Sequence, residues 1–479
     1  MSKYISTRGG IAPVDFETAV LKGFADDGGM FVPQSIPKIS QDRLRAWSGH
    51  SFNQLAFEIL SLYIGEETLP AADLKALIEK STAPFTHPEV VPVSPLGNET
   101  NQFILELFHG PTLSFKDVAM GFLINTMDYF LARKKDRAAL LIATTGDTGP
   151  AAAWASQGKE TIDCWVLYPR EFISQEQERQ MSTLNAPNVK AVSVENCPNG
   201  GDDLDVVIAR MFEDRDQVER LRLSSVNSIN WCRVLFQSIH YFYAYYRVAE
   251  TVGEKIAFSV PTGAFGNMFA GYLAREMGLP VERFICANNA NATIHRVHDT
   301  HAFTRLPLIQ TPANAIDIAL PYNFWRFLYF TSGQNSELLS QWMDTYTQDG
   351  TVPFDPEMME KITQGFITAA VSNTETLDTI KEIHYKADYL LDPHGAVAVA
   401  AALRLAPELP SDTKIISLLT AHPAKFPEVT RKALNGDLPP AGTHPDLEAV
   451  KTQFHRVLLC DHDILEPALV QAMTQANPN

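Results

Sequence analysis

A single lysine stands in the stretch HGPTLSFKDVAMGFLI, residues 109–124, where most neighbouring side chains are apolar. Lysine is rarely fully buried, because its ammonium loses water that the protein cannot easily replace. In the first turn of a helix it also lies at the positive end of the helix dipole, and both effects lower its pKa. Lys116 is therefore a candidate nucleophile and base of the kind that Schiff-base formation requires. The alternative is a surface pair with Asp117, which is the usual arrangement for such neighbours.

The segment PTLSFKDVAMGFLINTMDYFLA, residues 111–132, is apolar almost all round and predicts a buried helix. Thr112 or Ser114 is expected to cap its N-terminus, because both side chains can accept a hydrogen bond from the first turn.

The stretch PTGAFGN, residues 261–267, joins a predicted strand to a predicted helix and carries Gly263 and Gly266. Glycine lets the backbone approach a ligand closely, and a helix N-terminus offers free N–H groups to a phosphate. The spacing fits neither a dinucleotide fingerprint nor a Walker A loop, so neither ligand is indicated. Taken alone, a tight turn is the commoner explanation.

A second strand-to-helix turn, ATTGDTG at residues 143–149, combines hydroxyls with glycines. Its candidate residues are Thr144, Thr145, Gly146, Asp147, Thr148 and Gly149. Hydroxyls and free N–H groups suit a carboxylate or a phosphate. Helix capping by Asp147 or Thr148 is an equally good explanation, and the two are compatible.

A third turn, SLLTAHPAKFPE, places Thr420 at the end of a buried strand and Lys425 in a proline-bounded loop. Ligands of open parallel sheets bind at the carboxyl ends of strands, so the three turns are candidates for one site.

The elements that must position these turns alternate between strand and helix after about residue 95. Strands are predicted at RAALLIATT, TIDCWVLYP, KIAFSVPT, RFICANN and KIISLLTA, the last of them near residue 416. Continuous apolar strands separated by helices indicate an α/β fold with mostly parallel sheets flanked by helices. Residues 1–95 are expected to be a helical N-terminal segment, 96–435 a catalytic region, and 436–479 a C-terminal tail reached through a linker.

The composition argues against several classes of partner. The 479 residues carry a net charge of -17, which disfavours nucleic acids and anionic membranes. No apolar run reaches the ~18 residues that span a bilayer, and the N-terminus lacks a secretory h-region. The five scattered cysteines favour reduced thiols in the cytoplasm over disulfides. Neither they nor the thirteen histidines show metal-ligand spacing, so no metal is expected. The oligomeric state stays undetermined.

Six motifs together resemble those of threonine synthase, a fold-type-II pyridoxal-phosphate enzyme. They are FHGPTLSFKD, ATTGDTG, PTGAFGN, NSINWCR, LLDPHGAVAV and TAHPAKFPE. The N-terminal YISTRGG and ADDGGMFVPQSIP are similar to the same family, and the resemblance runs from Tyr4 to about Ala433. It implies two subdomains, one with Lys116 and the ATTGDTG loop, the other with the GAFGN loop and Thr420.

The resemblance also implies a role for each motif. Lys116 would carry pyridoxal 5'-phosphate covalently, and Thr420 would hydrogen-bond the pyridine nitrogen. Residues 144–149 would hold the α-carboxylate of the substrate. The cofactor phosphate would lie on Gly263, Ala264, Phe265, Gly266 and Asn267. The candidates for the substrate phosphate are Asn227, Asn230, Arg233 and Lys425.

The implied reaction converts O-phospho-L-homoserine and water into L-threonine and phosphate, with Lys116 as the base at Cα and Cβ. Some positions depart from the family pattern: Ala264, Ala292, Tyr322 and Trp325. These changes resemble the threonine-synthase-like branch, which releases phosphate and 2-oxobutyrate, so a phospho-lyase is the alternative. A silent protein that only binds the cofactor is a second alternative, which the presence of Lys116 disfavours.

Overall fold

The computed structural model describes residues 3–98, 101–198 and 200–476. Its strands are β1 (Tyr4–Ser6), β2 (Phe31–Pro33), β3 (Val93–Pro95), β4 (Gln102–Glu106), β5 (Ala138–Ala143), β6 (Ile162–Pro169), β7 (Val189–Glu195), β8 (Leu223–Ser224), β9 (Ile256–Pro261), β10 (Val281–Asn288), β11 (Ala302–Thr304), β12 (Thr351–Pro353), β13 (Phe366–Ala370), β14 (Ile415–Leu419) and β15 (Val457–Asp461).

The helices are α1 (Phe16–Lys22), α2 (Gln41–Trp47), α3 (Phe52–Leu60), α4 (Ala71–Thr82), α5 (Lys116–Lys134), α6 (Thr148–Ser156), α7 (Gln175–Ser182), α8 (Gly201–Glu213), α9 (Arg215–Leu221), α10 (Trp231–Val248), α11 (Gly266–Met277), α12 (Thr293–Thr300), α13 (Tyr322–Thr331), α14 (Ser336–Asp349), α15 (Pro356–Thr363), α16 (Asn373–Ala387), α17 (Pro393–Leu405), α18 (Pro427–Ala433), α19 (Pro445–Val450) and α20 (Leu465–Ala476). Short 3-10 turns lie at Asn314–Ile316, Ala406–Glu408, Pro423–Lys425, Pro440–Gly442 and His462–Ile464.

Two sheets carry the fold. The larger has six strands in the order β13-β10-β9-β14-β4-β3, and the smaller has five in the order β15-β7-β6-β5-β8. All neighbours in both sheets run parallel except the pair β3 and β4. The strands β5, β9 and β14 are apolar and largely buried, as strands covered by helices on both faces must be. The predicted α/β class with mostly parallel sheets is confirmed.

The helix α10 lies at the centre of the molecule. Nearly all of its side chains are buried, and it packs against α3, α5 and α11. The aromatic residues of this helix from His240 to Tyr245 therefore belong to the core. No helix of the described chain combines the length and the apolar character needed to cross a bilayer.

The ends of the chain differ from the expectation. The N-terminal part contains α1–α4, but β3 pairs with β4 in the larger sheet, so a boundary at residue 95 cuts a strand pair. The segment predicted as a C-terminal tail contains β15, which extends the smaller sheet beside β7. The side chains of Leu465, Leu469 and Met473 in α20 fill the core beneath that sheet. Pairing over such a sequence distance leaves no local signal.

Candidate active site

The turn after β4 and the turn after β14 are joined by backbone hydrogen bonds. The N–H of Phe115 donates to the carbonyl of Thr420 at 2.8 Å, and the N–H of His422 donates to the carbonyl of Leu113 at 3.0 Å. Lys116 begins α5 directly after this junction, and Thr420 follows β14 directly. The parallel order of β4 and β14 therefore brings Lys116 and Thr420 to the same edge of the larger sheet.

The start of α5 is not capped as the sequence predicted. Phe115 is the N-cap residue, and no side chain bonds to the first turn. Instead Asp117 accepts hydrogen bonds from the N–H of Thr112 at 2.8 Å and from its hydroxyl at 2.7 Å. A Cβ on Gly110 would lie 2.4 Å from the Cβ of Asp117, so only glycine allows this packing. Burial raises the pKa of Asp117 to about 6, against the lowering effect of both Thr112 bonds.

Lys116 is half-buried, and its ammonium lies 4.0 Å from the centroid of the Phe115 ring. Among the described residues no hydrogen-bond acceptor or carboxylate pairs with Nζ. Loss of water lowers the pKa of Lys116 to about 7, with a further lowering from the charge of Arg233 and a partial offset from Asp147. Near neutral pH much of the amine is therefore unprotonated and can act as a nucleophile or a base.

The loop 144–149 is folded around one hydroxyl. Thr144 Oγ1 accepts from the N–H of Gly146 at 3.1 Å and of Gly149 at 3.2 Å, and donates to the carbonyl of Gly146 at 3.0 Å. Within the described chain, the backbone N–H groups of Thr145, Asp147 and Thr148 find no acceptor. The Thr145 and Thr148 hydroxyls are unpaired there as well. These free donors at the start of α6 suit a carboxylate.

Asp147 does not cap α6. Its carboxylate pairs with the ammonium of Lys425 at 2.8 Å and accepts from Gln177 Nε2 at 2.9 Å. Lys425 also donates to the carbonyl of Thr112 at 2.7 Å, and its side chain is fully buried. Burial alone would raise the pKa of Asp147, but the charge and the hydrogen bond of Lys425 bring it below its ordinary value. The pair ties the 144–149 loop to the segment that precedes Lys116.

The loop 263–267 leaves a set of donors without partners. The backbone N–H groups of residues 263–267 donate to no acceptor among the described residues. Asn267 Nδ2 is buried and also lacks a partner, while Asn267 Oδ1 accepts from His240 Nε2 and the Tyr241 hydroxyl. A Cβ on Gly263 would lie 2.8 Å from Ile316 Cα, so the close approach of that segment requires glycine. Such a cluster of free amides is a typical anion site.

The other candidates for the substrate phosphate lie in the loop 225–230 and at the start of α10, and their side chains differ in how far the fold engages them. Asn230 caps α10 by accepting from the N–H of Cys232 at 3.1 Å, and its Nδ2 donates to the carbonyl of Val20 at 2.9 Å. Its side chain is thus committed to the fold. Arg233 is buried and bonds the carbonyl of Val226 at 3.0 Å, yet its Nε has no partner. No carboxylate pairs with Arg233 in the described structure, so its guanidinium is a candidate binding group for an anionic ligand.

Two buried residues in α13, Asn323 and Arg326, also bond these loops and were not predicted from the sequence. Asn323 donates to the carbonyl of Ala264 in the 263–267 loop, and Arg326 donates to the carbonyl of Ile229. The motif ALPYNFWRF contains both, but a buried arginine within an aromatic helix gives no local sign of its bonding partners. Trp325, one of the departures from the family pattern, is buried against the rings of Phe303 and Tyr346.

Comparison with known families gives three matches along the chain. Residues 3–82 match the model described as threonine synthase N terminus, residues 89–421 the model of pyridoxal-phosphate dependent enzymes, and residues 395–466 the model of the threonine synthase C-terminal region.

Individual proteins are similar over nearly the full length. Threonine synthase of Schizosaccharomyces pombe is 39% identical, with 90% of this chain and 89% of the relative covered. Threonine synthase-like 2 of Xenopus laevis is 37% identical, with 95% of each covered. The crystal structure of pyridoxal-phosphate-bound threonine synthase from Brucella melitensis superposes with a TM-score of 0.91 at 34% identity, covering 100% of both chains.

Proposed function

Because the chain belongs to the pyridoxal-phosphate-dependent enzymes, and among them to the threonine synthase family, we propose that it converts O-phospho-L-homoserine and water into L-threonine and phosphate. The observation that carries this proposal is the presence, beside the candidate loops, of two basic side chains that no carboxylate pairs with among the described residues. Lys116 supplies an amine that is partly unprotonated at neutral pH, and Arg233 supplies a guanidinium for an anion. An enzyme that attaches an aldehyde cofactor and binds a phosphorylated substrate needs an amine for the first task and a cation for the second.

The residues of this chain fit pyridoxal phosphate. The amides of residues 263–267 and the unpartnered Asn267 Nδ2 would hold its phosphate. Lys116 would hold it covalently, and the Thr420 hydroxyl, which has no partner among the described residues, would bond the ring nitrogen. When bound, the cofactor supplies an electron sink for carbons next to the substrate nitrogen.

The substrate carboxylate is assigned to the loop 144–149. The free N–H groups of Thr145, Asp147 and Thr148 and the two unpaired hydroxyls supply donors without a competing partner. The side chain of Asp147 contributes through its pair with Lys425 rather than by contact, because two carboxylates would repel each other. Gly146 remains a candidate of this loop because the backbone packs closely here: a Cβ added at position 146 would lie 3.2 Å from the Cβ of Ala315.

The substrate phosphate is assigned to Arg233 and Asn227, the latter in the loop before α10, where its carbonyl accepts from the N–H of Asn230. A guanidinium matches phosphate geometry and keeps its charge when buried. Burial lowers the pKa of Arg233 to about 10, which leaves it charged at neutral pH. Asn230 is withdrawn from this role, as its side chain is used by the helix cap. Lys425 is withdrawn too, because Asp147 and the Thr112 carbonyl engage its ammonium.

Lys116 is the group positioned to move protons. With a pKa of about 7, it can take the proton from Cα, pass it on, and then take a proton from Cβ of the substrate. Phosphate, held by Arg233, leaves with the electron pair of the Cγ–O bond, and Cγ gains a proton to become the methyl group. Water adds its hydroxyl at Cβ and gives its remaining proton to the released phosphate, and a proton returned to Cα gives L-threonine. The balance is one water consumed and one phosphate released.

The reactivity of Lys116 should reveal its lowered pKa. In cofactor-free protein, labelling of Lys116 by the uncharged reagent dinitrofluorobenzene should rise about tenfold from pH 6 to pH 8 and then level off. Below pH 7 the ammonium is unreactive, and above it the neutral amine dominates. Peptide mapping over a pH series measures this. An ordinary lysine serves as internal control, since its labelling keeps rising by about tenfold per pH unit until about pH 10. The same continued rise at Lys116 would contradict the account.

Replacing Arg233 should weaken substrate binding and raise the pKa of Lys116 at the same time. Arg233→Met is expected to lower kcat/KM for O-phospho-L-homoserine by about 10- to 100-fold, the effect of one lost charged hydrogen bond. It should also move the Lys116 labelling plateau to higher pH, because a nearby positive charge is gone. Arg275→Met is the control, because Arg275 is a partly buried arginine that lies elsewhere, on α11 against the rings of Tyr272 and Phe366. An unchanged plateau in Arg233→Met would contradict the assignment.

The second candidate function is release of phosphate with formation of 2-oxobutyrate. It is kept because the Xenopus threonine synthase-like 2 is nearly as similar as the yeast synthase. The departures at Trp325 and Ala264 do not favour it. Trp325 packs in the core, and Ala264 acts through its backbone carbonyl, which accepts from the backbone N–H of Asn323 at 3.2 Å. Tyr322 is 40% exposed.

The test is incubation of the cofactor-loaded protein with O-phospho-L-homoserine and quantification of both products. We expect threonine and phosphate in equal amounts. Phosphate with 2-oxobutyrate and no threonine would replace the proposal with the lyase, and no phosphate release would remove both. We place the reaction in the cytoplasm, in keeping with cysteines that are all unpaired in the described structure.

A further inference from the structure

Asn323 bonds two loops that the proposed function assigns to different phosphates. Its backbone N–H and its Nδ2 both reach the carbonyl of Ala264, at 3.2 and 3.3 Å. The same Nδ2 donates to the carbonyl of Ser228 at 3.1 Å. Ala264 lies in the cofactor-phosphate loop, residues 263–267, and Ser228 in the substrate-phosphate loop, residues 225–233. One fully buried amide therefore connects both loops.

Arg326, one turn further along α13, extends the connection. Its Nη2 donates to the carbonyls of Ile229 at 2.6 Å and Phe31 at 3.1 Å, and its Nη1 donates to Asn323 Oδ1. Arg326 is fully buried, and no carboxylate among the described residues neutralises it. Burial lowers its pKa to about 9, so it remains charged at neutral pH. The guanidinium thus fixes the amide of Asn323 and adds the N-terminal strand β2 to the assembly.

The packing leaves this assembly little freedom. A Cβ on Gly266 would lie 3.2 Å from Asn323 Nδ2, so the helix α11 begins in direct contact with the amide. The ring of Phe265, whose φ of 63° is in the left-handed region, lies 5.4 Å from that of Phe324 and 5.6 Å from that of Phe327. The strained turn is held by α13, which carries Asn323 and Arg326. Backbone in such a conformation persists only where its surroundings impose it.

We propose that Asn323 and Arg326 form a positioning bracket that holds the cofactor-phosphate loop and the substrate-phosphate loop at a fixed separation. Neither residue touches a reacting atom in this proposal, which rests on the proposed function of the two loops. The bracket acts by preorganisation: both sets of donors are in place before either ligand arrives, so binding does not have to order them. It predicts that one substitution weakens two chemically separate binding events.

The test compares Asn323→Ala and Arg326→Lys with Tyr245→Phe. The buried Tyr245 also donates a hydrogen bond to a backbone carbonyl, that of Glu254 at 3.0 Å, but its bonding partners lie in the turn after α10 and in neither loop. Calorimetry measures pyridoxal phosphate binding to the cofactor-free protein and inorganic phosphate binding to the cofactor-loaded protein. We expect Asn323→Ala to raise both dissociation constants by about tenfold, the value of one or two buried hydrogen bonds. Arg326→Lys keeps the positive charge but loses the forked guanidinium, so it should raise both dissociation constants by a smaller factor.

Tyr245→Phe should leave both dissociation constants unchanged even where it lowers the melting temperature. A bracket variant that melts earlier but binds both ligands as the wild type does would overturn the proposal, as would a change confined to one ligand. Arg326→Lys keeps the test available should Asn323→Ala fail to fold. The binding assays do not require turnover. A wild-type protein that binds both ligands but makes no threonine would count against the proposed function and leave the bracket intact.

Discussion

Lys116→Ala is expected to abolish covalent attachment of the cofactor and to lower turnover about 10⁴-fold or more, because one amine serves as both attachment point and base. The side chain lies at the junction of the turns after β4 and β14, with a pKa lowered to about 7. Among the described residues no other lysine offers an unpaired amine at this junction, because Lys425, which follows β14, is paired with Asp147. Borohydride reduction followed by mass spectrometry of the peptides measures the attachment, and phosphate release measures the turnover.

Lys159→Met is the matched control for this variant. Lys159 is half-buried like Lys116, but it donates to Asn125 and pairs with Asp128, both further along α5. The control should keep the reduced cofactor on Lys116 and most of the turnover. Turnover by Lys116→Ala above a thousandth of the wild-type rate would contradict the role of Lys116 as attachment point and base, because general base catalysis alone contributes about 10²- to 10⁴-fold.

The second large effect concerns stability. Asp147→Ala leaves the ammonium of Lys425 buried with the Thr112 carbonyl as its remaining bonding partner. Breaking one partner of a buried ion pair costs about 3–5 kcal/mol, so we expect a loss of that size in the free energy of unfolding. Urea denaturation of the cofactor-free protein measures it. The 144–149 loop should also lose its anchor, and kcat/KM for the substrate should fall.

The double variant Asp147→Ala/Lys425→Met separates the two contributions. Removing both charges leaves no unpaired ion, so the double variant should be more stable than Asp147→Ala alone. Lys425→Met by itself should destabilise too, because the Asp147 carboxylate then remains buried without its cation. Additive losses in the three variants would show that the pair is not coupled, contrary to the 2.8 Å contact.

The local chemistry of the site could be predicted from short stretches of sequence. The apolar surroundings of Lys116 indicated its desolvation, and the glycines at 263 and 266 indicated a close backbone approach. Both follow from residues within one turn of each other. The strand-helix alternation also predicted the parallel sheets, because buried parallel strands are apolar along their whole length.

What the sequence could not predict depends on contacts between distant segments. Lys425 and Asp147 are far apart in the chain, and only the fold joins them, so nothing in the sequence indicated that Asp147 engages the Lys425 ammonium. Asn230 was a reasonable phosphate ligand by type, but its amide caps α10 and bonds Val20. The proposed tail became part of a sheet through β15. Asn323 and Arg326 were overlooked because their partners are backbone carbonyls, which carry no side-chain signature.

Turnover of O-phospho-L-homoserine in ¹⁸O-labelled water tests the central claim most directly. In the proposed reaction, phosphate leaves by cleavage of the Cγ–O bond and water adds at Cβ. We therefore expect one ¹⁸O atom in the hydroxyl of L-threonine and none in the released phosphate. Labelled phosphate together with homoserine would mean simple hydrolysis at phosphorus, and 2-oxobutyrate without threonine would mean elimination alone. Either result would contradict the account.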